Sequence, residues 1–357
     1  MNNTILANAE ETLKDGLLKN EYTCAVWLVS SNGKIAASGA IGRLGGEAED
    51  PESKFNSVFD LASLTKPIAT ATSFMILVDR GKLRPDMFVS DFFPEYDTEH
   101  LAGITLAHML THTSGIPAWY DFYSNGQTRD QVLDQIIKIS LGAKPGERYE
   151  YSCLGYILLG FIIERVSGLS LSDFARINIF EPLGMRNTCF NPPNNWHDRI
   201  ARTANCPNRE GVLCGVVQDG NASAMEGISG NAGLFSTADD LAVFARMMLN
   251  SGALGSTRIL SEESVRFMLT NRIDPGIGGQ SYGFFTKPNG MVAFGESFSD
   301  RAFGHTGFTG TSLLIDPEHD IFVILLTNRI YPKHDASDYL SRRRLFHNII
   351  ASALSDQ

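Results

Sequence analysis

Apolar residues recur at helical spacing from Ile5 to Leu18, which predicts a helix at the start of the chain. Two apolar runs follow, Cys24 to Val29 and Ile35 to Ile41, separated by Ser31-Asn32-Gly33-Lys34. Asn-Gly between two such runs suits a tight turn whose residues adopt positive φ, so a β-hairpin is predicted. Gly42 to Ser53 is polar and glycine-rich and reads as a loop. Val58-Phe59-Asp60-Leu61 predicts a short strand leading into a helix from about Ser63 to Arg80. Leu64, Ile68, Ala71, Met75 and Val78 share one face of that helix, and Gly81 stops it.

From Lys82 to about Gly220 the helical period dominates: Thr105 to Leu110, Arg129 to Leu141, Leu154 to Ser167 and Leu171 to Phe180. Connections such as Ala143-Lys144-Pro145-Gly146 and Asn191-Pro192-Pro193 separate them, so this region reads as an inserted, mostly helical part. Ala238 to Leu249 is again helical, with Thr237 as its cap and Asp239 and Asp240 at its positive end. Thr311 to Ile315 and Ile321 to Thr327 are expected strands joined by Asp316-Pro317-Glu318-His319-Asp320, and Tyr339 to Leu354 is an expected helix. The first hairpin and these last strands are expected to share one antiparallel sheet.

Composition narrows the function. The chain has 357 residues, 43% hydrophobic and 20% charged, enough to bury a sizeable core. Its net charge of −10 and the lack of a Lys/Arg run give no attraction for nucleic acid or an anionic membrane surface. No stretch approaches the roughly 18 apolar residues of a membrane span. The N-terminus lacks a basic region followed by an apolar stretch, so a cytoplasmic location is expected, or an exported one if a signal has been removed. Five cysteines without a C-x-x-C pair suit reduced thiols rather than disulfides or zinc.

The chemistry begins at Ser63-Leu64-Thr65-Lys66. A serine hydroxyl attacks an acyl group only when a base is held beside it. On a helix, residues i and i+3 share a face, and the helix start adds N–H groups that favour an oxyanion. The pattern alone is common: a chain of this composition carries about one by chance. Ser31 to Lys34 is a second match, but it falls in the expected hairpin turn, without a helix start to support it.

A second element is Tyr149-Glu150-Tyr151-Ser152-Cys153, just ahead of a helix. A tyrosine placed there near a lysine would have its phenolate stabilised and become a usable base. Read without Lys66, the same tyrosines are half-buried aromatics. The third is Gly304-His305-Thr306-Gly307-Phe308-Thr309-Gly310-Thr311, where three glycines beside a strand allow close backbone approach. The N–H of Phe308 would complete an oxyanion hole with that of Ser63. A glycine-rich bend is the plain alternative.

Together the three elements resemble the serine β-lactamase, penicillin-binding-protein, D-peptidase and esterase superfamily, and most of all its class C branch. The order and spacing match, with His305-Thr306-Gly307 in the place of Lys-Thr-Gly. Phe59 to Ala62, Leu110 to Gly115, Gly155 to Gly160 and Gly233 to Thr237 are similar to the family as well. The resemblance runs from about residue 20 to 350. It implies an α/β (α+β) fold, an antiparallel sheet flanked by helices and packed on a mostly helical lobe. On that reading 1–82 and 221–357 form the sheet domain and 83–220 the helical one. It also implies acylation of Ser63, with Lys66 and Tyr151 exchanging protons in roles that stay joint. Cys153, His305, Thr306, Gly307 and Phe308 are the implied substrate contacts, and neither metal nor cofactor is called for.

One departure matters: Cys153 stands where the family carries Asn or Asp, and a thiol hydrogen-bonds poorly. That favours activated esters over β-lactams and D-amino-acid peptides. A catalytically silent relative that binds peptide or cell-wall fragments is the competing reading, and a transacylase differs only in what captures the acyl group. His108 and His112 are four apart, but no third ligand accompanies them, so a metal is not expected and His112 is assigned to ordering its turn. Asp219, Asn221 and the glycines at 227, 230 and 233 suggest a loop bordering the cleft.

Overall fold

The computed structural model describes residues 3–207, 209, 211–287, 290–295, 297–332 and 337–355. Its main helices are Asn3–Leu18 (α1), Thr72–Asp79 (α2), Cys153–Ser167 (α3), Ala238–Leu249 (α4) and Ser337–Ser355 (α5). The expected hairpin is present as Cys24–Ser31 (β1) and Lys34–Gly42 (β2). Asn32 and Gly33 turn between them at φ 49° and 71°, a region that glycine and, less readily, asparagine accept. Four further strands are Phe285–Thr286 (β3), Phe303–Thr306 (β4), Ser312–Asp316 (β5) and Ile321–Thr327 (β6).

These six strands form one sheet in the order β3-β4-β5-β6-β1-β2, antiparallel throughout. The two ends of the chain therefore meet at its centre, where Ala25 faces Thr327 and Ser31 faces Ile321. Every residue of β1 and β6 is buried, which requires cover on both faces. On one face Trp27, Val29, Val323 and Leu325 cluster with Leu13 of α1 and with Tyr339 and Phe346 of α5. On the other, Val26, Leu28, Ile324 and Leu326 join Leu241, Phe244 and Met248 of α4.

Helix α3 is buried continuously from Leu154 to Ile163 and ends at Gly168, in the left-handed region. No single helix among the described residues is long and apolar enough to cross a membrane. All five cysteines are free.

The helix expected from Ser63 to Arg80 is instead three successive windings. A 3₁₀ turn over Ala62–Leu64 passes into a π-helix over Lys66–Ala71 and then into α2. Pro67 lies in the widened stretch, and the Thr72 N–H reaches back five residues to its carbonyl. The helix expected from Leu171 to Phe180 also divides, into an α segment Leu171–Ala175 and a π segment Arg176–Phe180. Phe59–Asp60 pairs with Leu234–Ser236, which also pairs with Cys189–Phe190, so a small second sheet braces the chain just ahead of Ser63.

Candidate active site

Ser63 is half-buried on the 3₁₀ turn, and the residue before it is forced into an unusual backbone shape. Ala62 has φ 47°, which costs a residue with a Cβ about 1–2 kcal/mol. The surroundings hold it there. Asp60 accepts from the Ala62 N–H through Oδ1 and from the Gln218 N–H through Oδ2, both at 2.8 Å. Thr65 Oγ1 donates to the Ala62 carbonyl at 2.7 Å and accepts from the Leu234 N–H at 3.1 Å. Burial pushes the Asp60 carboxyl up to about 6, against the two backbone N–H groups that favour its ionised form.

Lys66 is fully buried. Its Nζ donates to Ser63 Oγ at 3.0 Å, to the Asn231 carbonyl at 3.1 Å and to Cys153 Sγ at 3.6 Å. These three bonds use the ammonium's whole donor capacity and fix its direction. Burial lowers its pKa from the usual 10.5, while Cys153 and Asp219 act the other way. Asn231 is itself held: its Oδ1 accepts from Ser229 Oγ at 2.6 Å, and its Nδ2 donates to Asp219 Oδ2 at 3.3 Å.

Tyr151 lies within the influence of the Ser63 hydroxyl, and Lys66 Nζ is 4.8 Å from its ring centroid. The expectation that the lysine would draw the phenol down is not met. Burial, followed by Cys153, pushes Tyr151 well above its ordinary value, and the Ser63 hydroxyl only opposes this. Low dielectric disfavours both charged forms, phenolate and ammonium alike. Burial thus favours a neutral phenol beside a lysine whose ammonium is less stable than in water.

His112 does more than order its own turn. At φ 58° it accepts the Ser152 N–H on Nδ1 at 3.0 Å, and its carbonyl accepts the Glu150 N–H at 2.9 Å. Its ring lies 4.4 Å from that of Tyr151, so it carries the segment that presents the phenol. Burial and the neighbouring Lys66 hold His112 well below the usual imidazole range. His108 is engaged separately, its Nδ1 accepting the Thr105 N–H at 3.1 Å.

The third segment is fastened to the strand before Ser63. Thr309 Oγ1 donates to the Asp60 carbonyl at 2.7 Å and Thr311 Oγ1 to the Leu61 carbonyl at 3.0 Å. A Cβ on Gly307 would overlap both Thr311 Oγ1 and the Leu61 carbonyl oxygen, so only glycine fits. His305 is buried, stacks on Phe285 at 4.3 Å and sits 6.0 Å from the Tyr151 ring. Its Nδ1 faces the Thr306 carbonyl at 2.9 Å; burial and Lys66 lower it to about 3. Phe308 is half-exposed, and its carbonyl accepts Arg329 Nε at 2.6 Å.

Ser63, Lys66, Tyr151 and Cys153 thus converge, with His305 against Tyr151 and Thr306, Gly307 and Phe308 continuing from β4. Sequence reasoning noted Asp60 only as flanking text and missed Asn231 as a partner of the lysine. Its one signal for the latter was the glycine-rich loop around it. The second Ser-x-x-Lys lies where it was expected, Ser31 facing an exposed Lys34 across the hairpin turn.

A buried amine held against a serine hydroxyl, on a sheet built from both chain ends, is the equipment of a serine hydrolase, and the protein is an enzyme of that type. Residues 7–346 match the Beta-lactamase family, and the chain belongs to it. It is 32% identical over 310 residues to the N-acetylmuramyl-L-alanine amidase of Bacillus subtilis (strain 168), covering 77% of this chain and 69% of the relative. A putative D-alanyl-D-alanine carboxypeptidase of Escherichia coli (strain K12) is 32% identical over 302 residues, covering 76% and 69%. Among solved structures, EstCE1, a hydrolase with promiscuous acyltransferase activity, superposes with TM-score 0.79 over 97% of this chain and 98% of its own. At 21% identity that likeness speaks for the fold alone.

Proposed function

We propose that the protein is an acyl-serine hydrolase that acts on small carboxylic esters, β-lactams or D-amino-acid peptides, with esters preferred. The observation that carries this reading is the 3.0 Å bond between Lys66 Nζ and Ser63 Oγ, made by a lysine whose burial favours the neutral amine. In that form Lys66 takes the hydroxyl proton as Oγ attacks the carbonyl carbon. The backbone N–H groups of Ser63 and Phe308 receive the oxyanion. Tyr151, which keeps its proton, passes it to the departing oxygen or nitrogen and regains one through Lys66. Water, activated by the same pair, then releases the acyl group from Ser63.

The names of the relatives bring cell-wall amides and peptides into the range of candidates. Cys153 argues for esters: its thiol occupies the place from which a polar side chain would meet a substrate amide, and activated esters need less help to leave. Turnover of nitrophenyl esters, nitrocefin and a D-alanyl dipeptide by the wild type and by Cys153→Asn tests this. The substitution is expected to raise β-lactam turnover relative to ester turnover by about fivefold, the worth of one hydrogen bond of about 1 kcal/mol. An unchanged ratio removes the preference for esters.

A further inference from the structure

Large aromatic side chains are exposed on one short loop. Trp119, Tyr120 and Tyr123 are 52%, 45% and 43% accessible, three large aromatic rings within five positions of the chain. The loop is tied down at both ends to the catalytic frame. At one end the Cys153 N–H donates to the Ala118 carbonyl at 2.9 Å and Ser152 Oγ to the Pro117 carbonyl at 2.8 Å. At the other, Asn221 Nδ2 donates to the Tyr120 carbonyl at 2.8 Å, and its Oδ1 accepts the Phe122 N–H at 3.1 Å. Asn221 lies in the short helix capped by Asp219, the carboxylate that holds Asn231 against Lys66.

The loop therefore spans from the residue that touches Lys66 on one side to the loop that supports Lys66 on the other. Tyr123 packs its ring on Gly220 and lines a recess of about 630 Å³ together with Pro207, Arg209 and Gln218. Gln218 is the residue whose N–H holds Asp60 ahead of Ser63. Phe308, 48% exposed, adds an aromatic ring from the third segment. The cations nearby are already engaged: Lys66 has its donors in use, Arg209 donates to the Gln218 and Val217 carbonyls and to Ser223 Oγ, Arg329 donates to the Phe308 carbonyl, and His305 is buried.

We propose that the 117–123 loop is the binding surface for a bulky apolar acyl group, so that the substrates are uncharged esters of medium-chain or ring-bearing acids rather than acetyl esters. The proposal rests on the acyl-serine reading and adds the acyl group to it. Trp and Tyr suit the task because they offer wide apolar faces at small entropic cost when they order on a ligand. Each buried methylene strengthens binding, so an acetyl group, with a single methyl to bury, gains least from the loop.

The test compares kcat/KM for p-nitrophenyl octanoate and p-nitrophenyl acetate in the wild type, Trp119→Ala, Tyr123→Ala and Leu345→Ala. The exposed positions chosen allow each variant to fold, which circular dichroism checks, and Leu345 on α5 is the control outside the site. The wild type is expected to favour octanoate by at least about tenfold, and Trp119→Ala to lower that ratio by at least about fivefold, mainly through KM. Leu345→Ala keeps the wild-type ratio. Ester turnover with a ratio unmoved by Trp119→Ala and Tyr123→Ala overturns the loop's role and leaves the acyl-serine reading standing. No turnover of either ester by the wild type overturns both.

Discussion

Ser31 and Ser63 are each followed three residues later by a lysine, yet the two lysines live in opposite surroundings. Lys34 opens the second strand of the hairpin and stands in solvent, facing Ser31 across a two-residue turn. The Ser31 hydroxyl accepts from the side chain of its neighbour Asn32, at 3.3 Å. Lys66 has no exposure and donates to groups from three separate parts of the chain. The spacing is shared; the environment is not. A lysine becomes a base when burial removes the stabilisation that water gives its ammonium, and when fixed acceptors keep its nitrogen on the hydroxyl. The hairpin supplies neither condition.

The sharpest way to break this comparison is to remove each hydroxyl in turn. Ser63→Ala is expected to lower kcat for nitrophenyl esters by at least about a thousandfold, as loss of a nucleophile does elsewhere. Ser31→Ala is expected to leave it unchanged. Steady-state assays on both variants decide, and equal losses would erase the distinction.

A smaller effect, with a pH signature, separates the lysines. Lys66→Arg replaces a deprotonatable amine by a guanidinium that stays charged, and should cost about a hundredfold or more in kcat/KM. In the wild type the lowered Lys66 value means that amine forms below the usual 10.5, so activity should fall as pH falls through an acid limb. Lys34→Arg should keep both the rate and that limb. An acid limb that survives Lys66→Arg would assign the base to another group.

The smallest effect belongs to the hairpin and is one of stability alone. Gly33 sits at φ 71°, so Gly33→Ala should cost about 1–2 kcal/mol of unfolding free energy, read from urea midpoints, with ester turnover unaltered. A loss of turnover at full occupancy of the folded state would show that the hairpin reaches the site after all.

Much of this was legible in the chain itself. Apolar runs such as Ile321–Thr327, the Asn32-Gly33 turn and the capped Ala238–Leu249 helix are local signals, and each element formed where its residues placed it. The three chemical segments were legible as text because each is a short contiguous motif. What escaped depends on distance. Lys66 and Asn231 are 165 positions apart, and Thr309 binds Asp60 across 249, so no local pattern announces either bond. The π-winding after Pro67 is hidden for a related reason, because the 3.6-residue period of Leu64, Ile68 and Ala71 does not report one inserted residue. The rise rather than fall of the Tyr151 value follows from burial, which spacing does not encode.

The most direct test is covalent. Incubation with a fluorophosphonate probe, proteolysis and mass spectrometry should place the phosphonyl group on the peptide that contains Ser63 and leave the Ser31 peptide at its native mass, with the adduct absent from Ser63→Ala. Labelling that persists in Ser63→Ala, or a wild-type enzyme that stays unlabelled while it turns over ester, would contradict a nucleophile at this position.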